Sequence, residues 1–285
     1  MKILLSANTQ SSIRSICSKP PHGLGIFAPI GFGKMHVAKY IAYKVLGNSP
    51  DFESQHMKII SPEENKNMVT IDQVREIHAF FKLRIKSDKQ VARVLIIEDA
   101  HKMHTDAQNA LLKIVEEPPS HSMIILTATS TSGLLPTILS RIERLQLSEV
   151  STSKIHSYFS SDYNEDEISR AQIIARGRIG LITSILQKAD HPLLESIESV
   201  KNFLKGDKYT QLASLNEHLN SIETFLEALK IISYSAFMQS VNKTTVPNEQ
   251  AKRWLKIYKQ SYFGLQDIQH NANPKILLTN LTLAI

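Results

Sequence analysis

The 285-residue chain is 42% hydrophobic and 21% charged, the balance of an ordinary globular protein with room for about two domains. Thirty-three Lys and Arg stand against 27 Asp and Glu, a formal charge of +6, and no run of about 18 apolar residues occurs, which excludes a membrane-spanning helix. The one cysteine, Cys17, can close no internal disulfide and build no Cys-based zinc site, and it reads as a small buried residue.

In chain order, residues 1–10 carry one Lys and a short apolar patch, Ile3-Leu4-Leu5. That is too little for a secretory signal, so a cytoplasmic location is expected. Gly25-Ile26-Phe27-Ala28 reads as a first strand, and Val37, Ala38, Ile41, Ala42 and Val45 then recur at helical spacing. Met57-Lys58-Ile59-Ile60 predicts a second strand, and residues 71–81 an amphipathic helix with Val74, Ile77 and Phe81 on one side. The stretch from Arg75 to Arg93 adds Lys82, Arg84, Lys86 and Lys89 against Glu76 and Asp88, a local net charge of 6 − 2 = +4. Such a run suits either a phosphate backbone or a solvated helix face, and both readings stand; Lys82, Arg84 and Lys86 are the candidates for DNA contact.

Val94-Leu95-Ile96-Ile97 and Met123-Ile124-Ile125-Leu126-Thr127 are unbroken apolar runs, as expected for strands buried on both faces. Between them Thr105-Asp106-Ala107-Gln108 has the form of a capping box, followed by Ala107, Leu111, Ile114 and Val115 at helical spacing and by Pro118-Pro119, which stops the helix. Leu145 and Leu147, alternating with Arg144 and Gln146, suggest a fifth strand. Strand and helix alternating in this way predict an α/β domain built on a parallel sheet with helices on both faces. From residue 151 the strand signal stops. Residues 151–190 read as short helices broken at Gly177 and Gly180, and 191–285 as all helix, clearest in Leu215, Leu219, Ile222, Leu226 and Leu229. The expected domains are 1–149, 150–190 and 191–285.

Ala28-Pro29-Ile30-Gly31-Phe32-Gly33-Lys34-Met35 lies between a predicted strand and a predicted helix, the setting of a P-loop. In an intact loop the glycines let backbone amides curl round phosphates, the Lys reaches the outer phosphate oxygens, and a Ser or Thr hydroxyl ligates Mg²⁺. Here Ala28 replaces the first Gly and Met35 the hydroxyl residue, and a thioether is a poor ligand for a hard cation. Gly31, Gly33 and Lys34 remain, either as a weak phosphate cradle for ATP or ADP or as a turn kept for packing. The acidic pair after the third strand, Glu98-Asp99, reverses the usual Asp-Glu order, moving each carboxylate by about one methylene where catalytic geometry tolerates about 0.5 Å. His101 and His104 have a spacing that suits a metal, but no third ligand is evident and an exposed helix entry is the simpler reading.

Leu134-Leu135-Pro136-Thr137-Ile138-Leu139-Ser140-Arg141-Ile142, together with Asn109-Ala110-Leu111-Leu112-Lys113 and Glu116-Glu117-Pro118-Pro119, resembles the bacterial clamp-loader AAA+ family, and within it the delta-prime branch. Asn48-Ser49-Pro50-Asp51-Phe52, Ile71-Asp72-Gln73-Val74-Arg75-Glu76 and Asn271-Ala272-Asn273-Pro274-Lys275 extend the resemblance over most of the chain. The resemblance implies an AAA+ domain, a small helical lid and a helical collar that holds a five-membered ring. It also implies that Arg141, with Ser140 beside it, enters a neighbouring subunit's ATP site as an arginine finger, a role that the planar, permanently charged guanidinium suits.

Three departures qualify it. The family's Cys after the finger is Ile142; its four-Cys zinc module is missing where Leu46-Gly47 runs into Asn48, so no zinc is expected; and the sensor-2 Arg position falls at Gly180. Thr127 or Thr129 falls in the sensor-1 region. The expected role is that of a non-hydrolysing subunit beside tau/gamma-type ATPase and delta-type subunits, loading a sliding clamp on primer-template DNA and requiring no cofactor of its own. An active AAA+ ATPase of the clamp-loader or Holliday-junction-motor type is the alternative.

Overall fold

The computed structural model describes residues 3–47, 56–63, 68–82, 90–242, 249–269 and 272–285. Of the segments singled out above, 48–52, Arg84, Lys86, Asp88, Lys89 and Asn271 lie outside the described residues. The chain forms two compact units, Met1–Tyr158 and Phe159–Ile285. No helix among the described residues is long and apolar enough to cross a membrane.

The first unit is built on five parallel strands, β1 (Gly23–Phe27), β2 (Met57–Ile60), β3 (Arg93–Ile97), β4 (Ser122–Ala128) and β5 (Glu143–Gln146), in the spatial order β2-β3-β4-β1-β5. Every residue of β1, β3 and β4 is buried, which is why apolar residues dominate them, with Arg93 opening β3 and Ser122 and Thr127 in β4 as buried polar exceptions; β5 lies at the edge and buries only Leu145 of its four residues. Alternation along β3 feeds two cores. Val94 and Ile96 join Ile26, Ile41, Met123 and Ile125 on one face. Leu95 and Ile97 join Phe27, Ile77, Leu111, Leu126 and Ile138 on the other.

Helices cover both faces. α1 (Ala7–Ser18) is capped by the Ser6 hydroxyl, which accepts from the Thr9 amide at 3.2 Å. α2 (Lys34–Leu46) follows β1 and ends at Gly47 in the left-handed conformation. α3 (Ile71–Lys82) follows β2, and a single 3₁₀ turn, Ala100–Lys102, leads from β3 to α4 (Thr105–Glu116). The expected capping box at Thr105 does not form. His104 is the N-cap, with no side-chain cap bond, and the Gln108 amide is drawn to another segment. α5 (Pro136–Leu139) is one turn that starts on Pro136, and α6 (Thr152–Phe159) closes the unit.

Two strand glycines have a steric purpose. A Cβ on Gly23 would stand 2.8 Å from Ile142 Cγ2, and one on Gly25 would stand 2.6 Å from the Phe27 ring and 2.8 Å from Ile142 Cδ1. Ile142, 7% exposed, is therefore seated against β1 through the absence of side chains there.

The second unit is helical throughout: α7 (Glu165–Ala175), α8 (Ile179–Gln187), α9 (Pro192–Lys205), α10 (Lys208–Ser214), a 3₁₀ turn Leu215–His218, α11 (Ile222–Asn242), α12 (Glu249–Gln269) and α13 (Pro274–Ala284). α7 carries a true capping box, Asn164 with Glu167. The chain breaks after α7 at Arg176 and Gly177, with φ of 52° and 75°, whereas Gly180, expected to break a helix, sits within α8. At that break Arg178 pairs with Glu227, which also binds Lys230 at 2.8 Å, and the Arg176 guanidinium stacks 3.6 Å above the Tyr234 ring. These contacts fasten the α7–α8 turn to α11. Asn273 caps α13, accepting from the Lys275 and Ile276 amides ahead of Pro274.

Candidate functional site

Two clusters from the sequence can be followed in the first unit: the loop between β1 and α2, and the segment from Gly133 to Arg144.

The loop is shaped by its two glycines. Gly31 and Gly33 have φ of 93° and 78°, a region closed to most side chains, and Lys34 opens α2 with only 9% of its surface exposed. Its side chains, however, turn to other partners. Met35 packs against the apolar core beneath α2, which gives the position a packing role in place of a Mg²⁺ hydroxyl. Glu98 accepts a hydrogen bond from the Ser61 hydroxyl at 2.8 Å, beside the end of β2. Asp99 has the left-handed φ of 47°; its amide donates to Thr127 Oγ1 at 3.0 Å and its carboxylate pairs with Lys102 Nζ at 3.3 Å. Burial pushes the Asp99 carboxyl up, but the positive charge of His101, Lys34 and Lys102 and the Lys102 hydrogen bond outweigh it and hold the group below the usual carboxylate range.

These contacts test the loop against a Mg²⁺-nucleotide. No hydroxyl stands at position 35, and the acid facing Lys34 is already neutralised by a neighbouring Lys. The donor set is poor for a hard cation. Thr127 is 1% exposed and ties β4 to the end of β3. Among the described residues no three His, Cys, Asp or Glu side chains gather as metal ligands.

The second cluster is organised differently. Gln108, 5% exposed on α4, donates to the carbonyls of Met103 at 3.1 Å and Gly133 at 3.0 Å and accepts from the Leu135 amide at 2.8 Å. One side chain thus fixes the loop that leads into α5. Fully buried Ile138 anchors α5, and Ile142 anchors the start of β5. Between these anchors Arg141 lies at the surface with 39% of its side chain exposed. Its guanidinium donates to Thr137 O at 2.9 Å and Ser140 Oγ at 3.2 Å and pairs with Glu116 Oε1 at 3.0 Å. Ser140 Oγ in turn donates to Thr137 O at 3.0 Å, and Arg144 donates to Leu139 O at 3.1 Å.

The structure brings Ser140 and Arg141 together, and Lys34 near Asp99, but turns Glu98 away toward Ser61. Gln108 and Glu116 were not singled out by the sequence for this site. The available signal for Gln108 was an amide on the apolar stripe of Leu111 and Val115, three and seven positions on. The basic run is narrower than its sequence suggests. Arg93 is 6% exposed, donates to the carbonyls of Phe80 and Phe81 at 2.9 Å each and packs on the Phe80 ring, so it is a structural residue. Arg75 pairs with Asp72 at 3.0 Å, and Lys82 ends α3.

Residues 17–151 match the family described as DNA polymerase III, delta subunit. The chain is 26% identical over 258 residues to the DNA polymerase III subunit delta' of Escherichia coli, covering 84% of this chain and 75% of that one. It is 29% identical over 143 residues to the delta' subunit of Pseudomonas aeruginosa, covering 42% of this chain and 41% of that one, so the match spans about two fifths of that relative's length. A gamma subunit-related DNA polymerase III protein of Thermotoga maritima has the same fold, with a TM-score of 0.53 over 96% of this chain and 97% of that one at 17% identity.

Proposed function

From its kinship with the DNA polymerase III delta-prime subunits, we propose that this chain is the non-hydrolysing member of a clamp loader and supplies Arg141 to the ATP site of the next subunit. The carrying observation is the contrast in presentation: Arg141 is exposed and held by three acceptors, whereas the chain's own Asp99 is engaged by Lys102. A guanidinium delivered in this way stabilises charge on a transferring phosphoryl group, and fingers of this kind are worth roughly 10³–10⁵ in rate.

In this reading the chain works in the cytoplasm within a five-membered ring with tau/gamma-type ATPase and delta-type subunits, held by its C-terminal helices. The ring places a sliding clamp on primed DNA. The chain's own loop contributes shape and at most weak ATP or ADP binding, and it requires neither Mg²⁺ nor zinc. Ser140 acts beside Arg141, its hydroxyl receiving one guanidinium hydrogen bond. Lys82, Arg84 and Lys86 are the residues proposed to meet DNA phosphates, a role that strongly salt-dependent binding supports.

Arg141→Ala, reconstituted in the complete loader, is expected to lower ATP turnover while the ring still assembles; unchanged turnover removes the finger role. The alternative, an active ATPase, requires the isolated chain to hydrolyse ATP with Mg²⁺ and to lose that activity in Lys34→Ala. The position of Met35 against the core argues against it.

A further inference from the structure

We infer that Glu116 is a positioning residue for Arg141, holding the guanidinium in the pose from which it reaches a neighbour's phosphate; this rests on the finger reading of Arg141. Of the three acceptors around the guanidinium, Thr137 O and Ser140 Oγ belong to the same short segment as Arg141 and move with it. Glu116 Oε1, 3.0 Å from the guanidinium, comes from a different element, the last residue of α4. α4 is fixed by Leu111, Ile114 and Val115 in the core. The ion pair therefore refers the finger to the body of the domain, where the contacts within its own segment alone would refer it only to residues 137–140.

A second observation is independent of distance. An acidic side chain in the last turn of a helix faces the negative end of the helix dipole and is locally unfavourable. Glu116 closes α4, with Glu117 next to it as the C-cap. A residue that breaks a local rule in this way has its compensation elsewhere, and for Glu116 that compensation is Arg141.

Magnitude decides between holding the finger ready and holding it back. Side chains of the pair are 39% and 44% exposed, so solvent screens it, and such a pair biases a conformational population by no more than about fivefold. That is enough to favour one rotamer of a long, flexible side chain. It is too little to withhold a guanidinium from phosphate oxygens, which offer stronger, bidentate charge-assisted bonds.

The test uses the reconstituted loader carrying Glu116→Gln, Glu116→Ala, Arg141→Ala, and the double variants. Glu116→Gln keeps the shape and guards against loss of folding. The expected result is a kcat for ATP lowered by about three- to fivefold in each Glu116 variant, with KM unchanged. No further loss is expected once Arg141 is Ala. Unchanged or raised turnover in both Glu116 variants, or a loss that persists in the Arg141→Ala background, overturns the inference and leaves the finger reading standing. Unchanged turnover in Arg141→Ala removes the finger reading and this inference together.

Discussion

The loop between β1 and α2 and the segment around Arg141 sit in one domain and meet different ends. At the loop and at the acidic pair that follows β3, charged groups are engaged within the domain: Asp99 by Lys102 and Glu98 by Ser61, with Met35, at the start of α2, packed against the core. Around Arg141 the buried parts, Gln108, Ile138 and Ile142, form a mount, and the charged group stands outside it. On the proposed reading, a loop without turnover of its own can lose ligands to internal pairing without loss of fold, whereas an arginine that acts on another subunit must stay exposed and still be held.

That comparison can be broken or sharpened in order of effect. Largest is Arg141→Ala: under the proposed finger role, the rate at the neighbouring subunit's nucleotide is expected to fall by roughly 10³–10⁵; steady-state ATP hydrolysis of the assembled loader reads it, and the variant chain should melt at the same temperature as the parent. Next is the mount. Gln108→Ala leaves the Met103 and Gly133 carbonyls and the Leu135 amide without this partner, an expected cost of about 1–3 kcal/mol. Denaturant titration of the isolated chain measures it, and loader turnover should fall with Arg141 intact. A Gln108→Ala chain as stable as the parent would show that the loop is held by packing alone.

A smaller effect is expected for Met35→Thr. Restoring the hydroxyl places it where a thioether packs on apolar neighbours, at a cost of about 1–2 kcal/mol. Calorimetry with ATP should find no Mg²⁺-dependent gain, since Glu98 still faces Ser61 and Asp99 still faces Lys102. A gain would mean that one residue, and not the rearranged acids, silences the loop.

Smallest is the pH effect at Asp99. Its carboxyl is held below the ordinary value despite burial, because of His101, Lys34 and Lys102. The folded chain therefore binds this proton less readily than the unfolded one. The resulting stability is present above the unfolded value near about 3.9 and is lost as pH falls through the folded one. Thermal melts between pH 5 and pH 3 should show a shallower acid-side decline for Asp99→Asn than for the parent. An unchanged decline would sever the carboxylate from its basic neighbours.

Much of the fold was legible because its signals are local. β1, β3 and β4 are buried on both faces, so their runs announce themselves without reference to partners. Helical spacing over 34–46, 71–82 and 105–116 did the same. The candidate site was legible in its residue types, since Met35, the Glu98-Asp99 order and Ser140-Arg141 can be read one position at a time. The capping box at Thr105 was misread because Gln108 has a choice of partners, and three polar groups brought in from 103, 133 and 135 outcompete a local cap. Arg93 was counted with the basic run for a similar reason: its acceptors, the carbonyls of Phe80 and Phe81, lie more than ten residues away.

By itself, then, the sequence determined a parallel α/β domain followed by helices, a loop of P-loop pattern with Met35 where that pattern has a hydroxyl, and an arginine at the end of a short proline-led turn. Only the tertiary structure decided where the charges went. It packs Met35 against the core and sets Lys102 on Asp99, and it brings Glu116 from α4 to Arg141. The physical reason is reach. Hydrophobic periodicity and missing ligands are written in neighbouring residues, whereas an ion pair between positions 116 and 141 exists only after the fold has brought the end of α4 beside the turn between α5 and β5.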